Sequence, residues 1–303
     1  MTNHLHRRTF LQHCGLATVA AAATGRPNPA AASEPIARNG NPKFKFSLAG
    51  YSYRNLLTGD NPELSLFDFV EDCARMQLDG TEPTSYFFPN PVTREFLVQL
   101  KQRCFQLGLD VSGTAVGNDF GHPPGERRQS EIDGLKQWIE FADILGAPVI
   151  RVFAGYQQEG ISAAETRKLM VSGLEECCDY AGQHGVHLAL ENHGGPTTTA
   201  DALLSIVRDV RSPWFGVNLD TGNFHGQDVY ADIAAAAPYS LNVQIKVSLR
   251  GAEGNMQPAD FPRLASILRD AGYRGYIVLE YEEDGDPRVA CPAVMEELRE
   301  AFV

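Results

Sequence analysis

Residues 242–248 read Asn-Val-Gln-Ile-Lys-Val-Ser, and this stretch indicates the fold most directly. In a β-strand its three apolar side chains share one face, while Asn242, Gln244, Lys246 and Ser248 share the other. An antiparallel sheet can expose such a polar face to water, but in a closed parallel barrel only the strand ends meet solvent. We therefore expect these polar side chains to point toward a barrel axis, where each needs a polar partner.

Short apolar stretches alternate with longer amphipathic ones from residue 43 onward. This alternation is typical of a parallel sheet with helices packed outside it, and eight strand-helix units need roughly 250 residues. The sequence therefore predicts an α/β fold, a (β/α)8 TIM barrel over residues 43–303. The candidate strands are Phe44–Tyr53, Gly80–Phe87, Asp110–Val116, Pro148–Gly155, Val186–His193, Phe215–Asp220, Leu241–Ser248 and Gly275–Glu282.

Helix signals fill the gaps between these strands. Residues 126–145 place apolar side chains at helical spacing, and Ser162 with Glu165 forms a capping box ahead of the next helix. A glycine in the left-handed conformation commonly ends a helix. We expect this of Gly108, Gly146, Gly185 and Gly272.

The N-terminal 32 residues have the features of a twin-arginine export signal. Arg7-Arg8 precedes a small apolar run over residues 16–23, and residues 30–32 offer an A-x-A cleavage site. A short N-terminal helix is the alternative, but the run is shorter than the about 20 residues that span a bilayer. We expect export to the periplasm or another extracytoplasmic space, a linker over residues 33–42, and no stable membrane anchor once the signal is removed.

Charge and cysteine content narrow the class of function. The first 32 residues hold three of the 26 basic and none of the 38 acidic residues, so the remainder has a net charge of −15. Such a surface repels a phosphate backbone, and we expect no nucleic-acid partner. The five cysteines beyond residue 32 are scattered without a CxxC pair, which is typical of buried core thiols.

Carboxylates occur late in three of the predicted strands. Strand alternation points Glu191, Asp220 and Glu280 inward at the C-terminal rim, where barrel enzymes form their sites. Three carboxylates in one concave place need a cation or hydrogen-bond donors. With the neutral oxygen of Gln244 they form a set that suits Mg²⁺ or Mn²⁺. The alternative is an ion network in which basic residues, Lys246 and Arg151, neutralise them.

These residues resemble a known family. The chain is similar to the xylose isomerase-like TIM-barrel superfamily, in particular its sugar phosphate isomerase/epimerase branch. That branch holds one divalent ion on four residues, which implies Glu191, Asp220, Gln244 and Glu280 here. Gln244 stands where histidine is more usual, and Asn223 also stands where several members have histidine. The resemblance rests on Glu191-Asn192-His193-Gly194-Gly195, Asp220-Thr221-Gly222-Asn223, Gln244-x-Lys246 and Glu280.

The resemblance also implies a mechanism. One glutamate removes a proton from a carbon of a metal-bound sugar and a second returns it, through an enediolate. Glu191 and Glu280 are the expected pair. Lys246 is expected to steady the oxyanion and His193 to bind a hydroxyl, although either residue can equally be structural.

Further residues are expected to bind the substrate. Arg151 points inward from the fourth strand and needs an acid or an anionic group as its partner. Tyr53 and His122 lie on predicted rim loops, where they can cap the site or pack within the loops. Asn223 follows the sixth strand and completes the expected substrate-binding set.

Several functions remain open at this point. An isomerase or epimerase acting on a free sugar is favoured, because an exported enzyme seldom meets sugar phosphates. A lyase or hydrolase acting on a 3-keto sugar or glycoside uses the same proton abstraction, and a non-catalytic sugar-binding barrel is a third possibility. An apurinic endonuclease fits poorly, since only five histidines lie beyond residue 32. The oligomeric state stays open.

Overall fold

The computed structural model describes residues 34–251 and 253–303. Nine parallel strand segments form a nearly closed barrel in the order β3-β2-β1-β11-β8-β7-β6-β5-β4, and β9 and β10 pair as a separate antiparallel hairpin. The strands are β1 Lys43–Ala49, β2 Gly80–Glu82, β3 Asp110–Val111, β4 Thr114–Ala115, β5 Val149–Val152, β6 His187–Glu191, β7 Phe215–Asp220, β8 Ser240–Ile245, β9 Ser248–Arg250, β10 Met256–Pro258 and β11 Arg274–Leu279.

The third predicted strand closes the barrel. It is split into β3, which pairs with β2, and β4, which pairs with β5, and only Ser112 and Gly113 separate the two pieces. The two edges of the sheet are therefore two successive segments of one strand. The nine segments amount to the eight strands of a (β/α)8 barrel, and the predicted fold class is confirmed.

Helices cover the outside of the barrel. The predicted helix over residues 126–145 is confirmed at both ends, and the Ser162 side chain accepts a hydrogen bond from the Glu165 N–H as expected. Gly108, Gly146 and the two other predicted helix-ending glycines all have positive φ. The helices are α1 Arg54–Leu57, α2 Leu66–Arg75, α3 Arg94–Gln106, α4 Glu126–Leu145, α5 Ala163–Gln183, α6 Ala200–Asp209, α7 Val229–Ala236, α8 Phe261–Asp270 and α9 Pro287–Phe302.

Both faces of the central strands are buried. Val217 and Leu219 of β7 pack into the hydrophobic core under the helices, while Asn218 and Asp220 of the same strand are equally inaccessible within the described residues. Strand alternation therefore separates an apolar layer outside the sheet from a polar interior. That polar interior carries the candidate site.

Two predicted strands end earlier than expected. After Ala49 the chain enters a 3-10 helix over Gly50–Tyr53, so Tyr53 is not a strand residue. The seventh predicted strand ends at Ile245, and β9 then turns back against β10. Lys246 consequently lies just beyond the strand, at the open end of the barrel.

The predicted linker over residues 33–42 is described from residue 34. It has no helix or strand there, but it contacts the barrel: the Ile36 N–H donates to the Pro238 carbonyl at 2.9 Å, and the Arg38 guanidinium lies 5.2 Å from the centre of the Tyr273 ring. The predicted signal over residues 1–32 falls outside the described residues. Within the described part of the chain, no helix is long and apolar enough to cross a membrane.

The five cysteines beyond residue 32 are core residues. All are free thiols, and all are buried among the helices or beside the sheet, as the sequence predicts. Burial raises the pKa of each thiol, which keeps it protonated and unreactive. They are Cys73, Cys104, Cys177, Cys178 and Cys291.

Candidate active site

Three carboxylates gather at the C-terminal end of the barrel. Glu191 is the last residue of β6, Asp220 is the last residue of β7, and Glu280 directly follows β11. Each is at most 6% exposed. Burial and the neighbouring carboxylates raise the pKa of Asp220 well above its usual range, despite the opposing influence of Lys246. The structure thus brings together the three acids that the sequence indicated.

Lys246 is the cation at the centre of this group. Its Nζ lies 2.6 Å from Glu280 Oε2 and 3.4 Å from Asp220 Oδ2. It also donates a 2.6 Å hydrogen bond to Glu282 Oε2, nearer the solvent. Burial lowers the pKa of the ammonium, but these carboxylates more than offset burial, and the net shift is upward. Lys246 therefore remains charged.

Glu191 has a separate cation and a separate hydrogen-bond donor. Arg151 Nε lies 2.9 Å from Glu191 Oε2, close enough for an ion pair although not aligned as a hydrogen bond. Asn223 Nδ2 donates to Glu191 Oε1 at 2.9 Å. The Arg151 guanidinium also stacks 4.2 Å from the Phe153 ring centre, which fixes its plane. Both side chains expected to bind substrate here contact Glu191 directly.

The two glutamates have pKa values shifted in opposite directions. Burial raises the pKa of Glu191, and the Arg151 charge opposes this only in part. Burial acts in the same sense on Glu280, but the Lys246 charge and hydrogen bond outweigh it and lower the pKa. Two carboxyl groups with separated proton affinities are what an acid/base pair requires.

Sequence reasoning missed one buried acid, Glu82, at the end of β2. It is 1% exposed, and its Oε1 accepts a 2.7 Å hydrogen bond from Gln244 Nε2. Its Oε2 accepts another, also at 2.7 Å, from Asn242 Nδ2. Burial and the Glu280 charge raise the pKa of Glu82 to about 7 against these hydrogen bonds. Glu82 ends the observed strand β2, as Glu191 and Asp220 end β6 and β7, but the predicted second strand continued to Phe87 and placed Glu82 near its start.

The remaining predicted site residues make contacts of their own outside the ion pairs of the carboxylates. The His193 ring packs on Phe153 with 4.4 Å between centroids. His122 Nε2 lies 3.4 Å from Asp119 Oδ2 within the loop after β4. Tyr53 does not reach the mouth of the barrel: it is 1% exposed and packs edge-on against Phe69 of α2, because the 3-10 turn directs it outward.

Aromatic side chains stand at one side of the mouth instead of Tyr53. The rings of Tyr51, Tyr86 and Phe87 lie 6.3–6.5 Å apart, on the segments that follow β1 and β2. Tyr86 is 49% exposed, and its side chain lies next to the Arg151 guanidinium. An accessible aromatic face thus adjoins the Arg151–Glu191 pair.

The donor chemistry of the site fits a divalent metal ion. Asp220 Oδ2 is buried without any hydrogen bond. The atoms of Glu191, Gln244 and Glu280 that could bind a metal ion are oxygens, which are the ligands that Mg²⁺ and Mn²⁺ prefer. As they stand, however, no three His, Cys, Asp or Glu side chains of the described residues form a ready ligand group. Lys246 pairs with the same oxygens, and Gln244 uses both amide atoms in hydrogen bonds. An ion and the ammonium would therefore use the same carboxylates.

Fold and site together define a TIM barrel with a buried acidic centre at the carboxyl ends of its strands. The chain belongs to the xylose isomerase-like TIM barrel family, whose model matches residues 67–301. A human protein named provisionally as a hydroxypyruvate isomerase is 26% identical over 229 residues, which cover 68% of this chain and 81% of that protein. A Bacillus anthracis 3-dehydroshikimate dehydratase is 24% identical, over 58% of this chain and 61% of its own.

Solved structures agree on the fold. D-psicose 3-epimerase from Clostridium cellulolyticum superposes with a TM-score of 0.70 at 17% identity, covering 85% of this chain and 99% of the epimerase. A 3-keto-D-glucoside 4-epimerase from E. coli gives 0.64 at 19% identity, covering 86% and 99%. At these identities the likeness establishes the barrel, and the chemistry has to be argued from this chain's own residues.

Proposed function

We propose that the protein is a metal-dependent isomerase or epimerase that moves a proton on a free, unphosphorylated sugar or sugar derivative. The observation that carries the proposal is a pair of buried glutamates, Glu191 and Glu280, each held by its own cation in one acidic centre. Relatives named as isomerases and epimerases support the same reaction class.

The chain's own residues divide the work of proton transfer. One of the two glutamates takes the proton from the carbon beside the substrate carbonyl, and the other delivers it. Arg151 and Asn223 hold Glu191 in place through both of its oxygens. The Lys246 ammonium steadies the negative charge that develops on a substrate oxygen. His193, whose ring packs on Phe153, would bind a hydroxyl group of the substrate.

A divalent ion, Mn²⁺ or Mg²⁺, belongs to the proposal. Glu191, Asp220, Gln244 and Glu280 would hold it, with Oδ2 of Asp220 as the donor that lacks a hydrogen bond. When bound, such an ion would stabilise negative charge on the substrate oxygens and orient the substrate in the site.

The proposed substrate is a sugar outside the cytoplasm. The aromatic group of Tyr51, Tyr86 and Phe87 presents flat apolar faces of the kind that pack on a sugar ring. The twin-arginine signal proposed for residues 1–32 would place the enzyme in the periplasm, where free sugars and glycosides are the available substrates.

Elimination is the second candidate reaction. The dehydratase from Bacillus anthracis is a relative whose name denotes loss of water, which can follow the same proton abstraction. With a 3-keto glycoside, the carbanion beside the carbonyl would expel the aglycone. A sugar-binding barrel without activity is disfavoured, because the three acids and both cations are all retained in contact.

Incubation with free sugars and with 3-keto glycosides in D₂O, followed by proton NMR, tests the proposal. Deuterium incorporation without cleavage identifies an isomerase or epimerase, and a released aglycone identifies a lyase. Wild-type protein that carries a stoichiometric metal ion, measured by mass spectrometry, yet exchanges no hydrogen on any sugar would contradict an enzymatic role. Metal that is present in wild type and lost in Glu280→Ala would place the ion at this site.

A further inference from the structure

We propose that Glu82 is a positioning residue whose carboxylate sets the direction of the Gln244 amide through a closed ring of hydrogen bonds. The consequence for metal binding rests on the proposed function, whereas the ring itself is a property of the fold. Glu82 touches none of the three acids of the centre through a hydrogen bond, and its two oxygens are used entirely by amides.

Four side chains form the ring across three strands. Gln244 Nε2 donates to Glu82 Oε1, and Asn242 Nδ2 donates to Glu82 Oε2, both at 2.7 Å. Asn242 Nδ2 also donates to Asn218 Oδ1 at 2.9 Å. Asn218 Nδ2 donates to Gln244 Oε1 at 2.6 Å and completes the circle. All four residues are at most 3% exposed.

One negative charge determines every donor direction in this ring. A side-chain amide fits the same space in either of its two flipped orientations, since its oxygen and nitrogen ends have almost the same size. An ionised carboxylate only accepts, so the nitrogen of Gln244 faces Glu82 when Glu82 is charged. The oxygen of Gln244 must then face β7, on the side where Asn218 lies. The reversed amide would set oxygen against oxygen in a dry interior.

This direction matters for the acidic centre. Gln244 is in register with Asp220 on the neighbouring strand, and Asn218 lies on the same face of β7 two residues earlier. An amide oxygen has a second lone pair beyond the one that Asn218 uses. Gln244 consequently presents an acceptor on the Asp220 side, where the opposite orientation would present only N–H donors. Glu82 thus makes Gln244 able to act as an oxygen ligand.

The isosteric variant Glu82→Gln isolates this effect, because it removes the charge and keeps the shape. A new amide at position 82 has only one acceptor end, so its nitrogen meets the N–H₂ group of either Gln244 or Asn242 and the ring can no longer close in its original direction. In wild type, we expect slow solvent exchange of the Gln244 side-chain N–H protons by ¹⁵N NMR, with the signals assigned from Gln244→Ala. In Glu82→Gln we expect that protection to be lost. Ser112→Ala, a buried interior hydroxyl outside the ring, should retain it.

A double variant that swaps the residues at positions 82 and 244 tests the orientation of the amide itself. In Glu82→Gln/Gln244→Glu the carboxylate and the amide trade places, so every hydrogen bond of the ring can form again. We expect slow exchange to return for the amide at position 82. Mn²⁺ titration followed by electron paramagnetic resonance supplies the second readout: Glu82→Gln should bind the ion about tenfold more weakly than wild type, and Ser112→Ala within twofold of it.

The outcomes separate the two proposals. Protection of Gln244 that is unchanged in Glu82→Gln overturns the positioning role. Lost protection together with unchanged Mn²⁺ affinity overturns it for metal binding. If wild type binds no Mn²⁺ while protection is lost in Glu82→Gln and restored in the double variant, the metal-dependent function fails and the directing role of Glu82 stands.

Discussion

The Nζ atom of Lys246 lies 2.6 Å from Oε2 of Glu280, so an ammonium and a carboxylate are paired at the open, carboxyl-terminal end of the barrel. Lys246 reaches this place because β8 ends one residue earlier, at Ile245. The same ammonium faces Asp220, whose Oδ2 has no hydrogen bond. One lysine therefore balances two buried acids.

Lys246→Met should destabilise the protein by about 3–5 kcal/mol at pH 7.5, because removing one partner leaves buried carboxylates without compensation. Urea unfolding measures this. Glu282→Gln is the matched control: Glu282 contacts the same ammonium, but its side chain is 41% exposed, and the expected change is below about 1 kcal/mol. Equal losses in the two variants would contradict the central role of Lys246.

Added Mn²⁺ should stabilise Lys246→Met more than it stabilises wild type. Without the ammonium, the oxygens of Asp220 and Glu280 are free for the ion, and a ligand that binds only the folded state adds about 2.7 kcal/mol at one hundred times its Kd. The shift of the unfolding midpoint with Mn²⁺ is the measurement. A variant that Mn²⁺ leaves unchanged would show that these oxygens bind no ion.

Asn223→Ala should lower kcat by about 10- to 100-fold and change KM little, once a substrate is known. Asn223 donates to Glu191 at 2.9 Å, and a hydrogen bond to a charged group is worth about 1.5–3 kcal/mol. The sequence indicated a substrate-binding role, which predicts a raised KM instead. The split between kcat and KM decides between the two, and in a Glu191→Gln background the Asn223 effect should disappear.

Acidification should destabilise the protein in part through His187, the first residue of β6. Burial lowers the pKa of His187 below 6.5, so the unfolded chain takes up a proton first and stability falls as the pH drops below about 6.5. His187→Gln should show a smaller fall in Tm between pH 7.5 and pH 5.5 than wild type. A fall of the same size would rule out this contribution.

Gly216→Ala should cost about 1–3 kcal/mol of stability through overpacking. A Cβ at this position of β7 would lie 2.7 Å from the Leu241 side chain and 3.1 Å from the Tyr239 carbonyl oxygen. Gly134 of α4 is the control, and the expected change in stability there has the opposite sign, since a Cβ at this position meets nothing within 4 Å. Gly134→Ala should stabilise the helix by about 0.5–1 kcal/mol in urea unfolding.

Local patterns predicted much of this molecule. The helix at residues 126–145 and the strand Phe215–Asp220 have the bounds that were expected, because apolar periodicity and terminal glycines act over a few residues. Alternation along β7 and β8 correctly directed Asp220 and Gln244 inward. These features depend on neighbours in the chain, and the sequence displays them.

Long-range contacts were harder to predict. Tyr53 was expected at the rim because its predicted strand continued past Ala49, but a 3-10 turn ends the alternation there. Glu82 was missed because β2 has only three residues and shows no alternation of its own. The pairing of Lys246 with Glu280 joins residues that follow two different strands, β8 and β11, and only the closed barrel brings them together.

Hydrogen exchange at the carbon beside the carbonyl tests the central claim most directly. With the sugar that wild type turns over in D₂O, we expect Glu280→Gln to lower the rate of deuterium incorporation at least about 100-fold, and Glu282→Gln to retain most of it. Circular dichroism should show that both variants are folded. Incorporation by Glu280→Gln at the wild-type rate would contradict the assignment of Glu280 as one of the two proton-transferring glutamates.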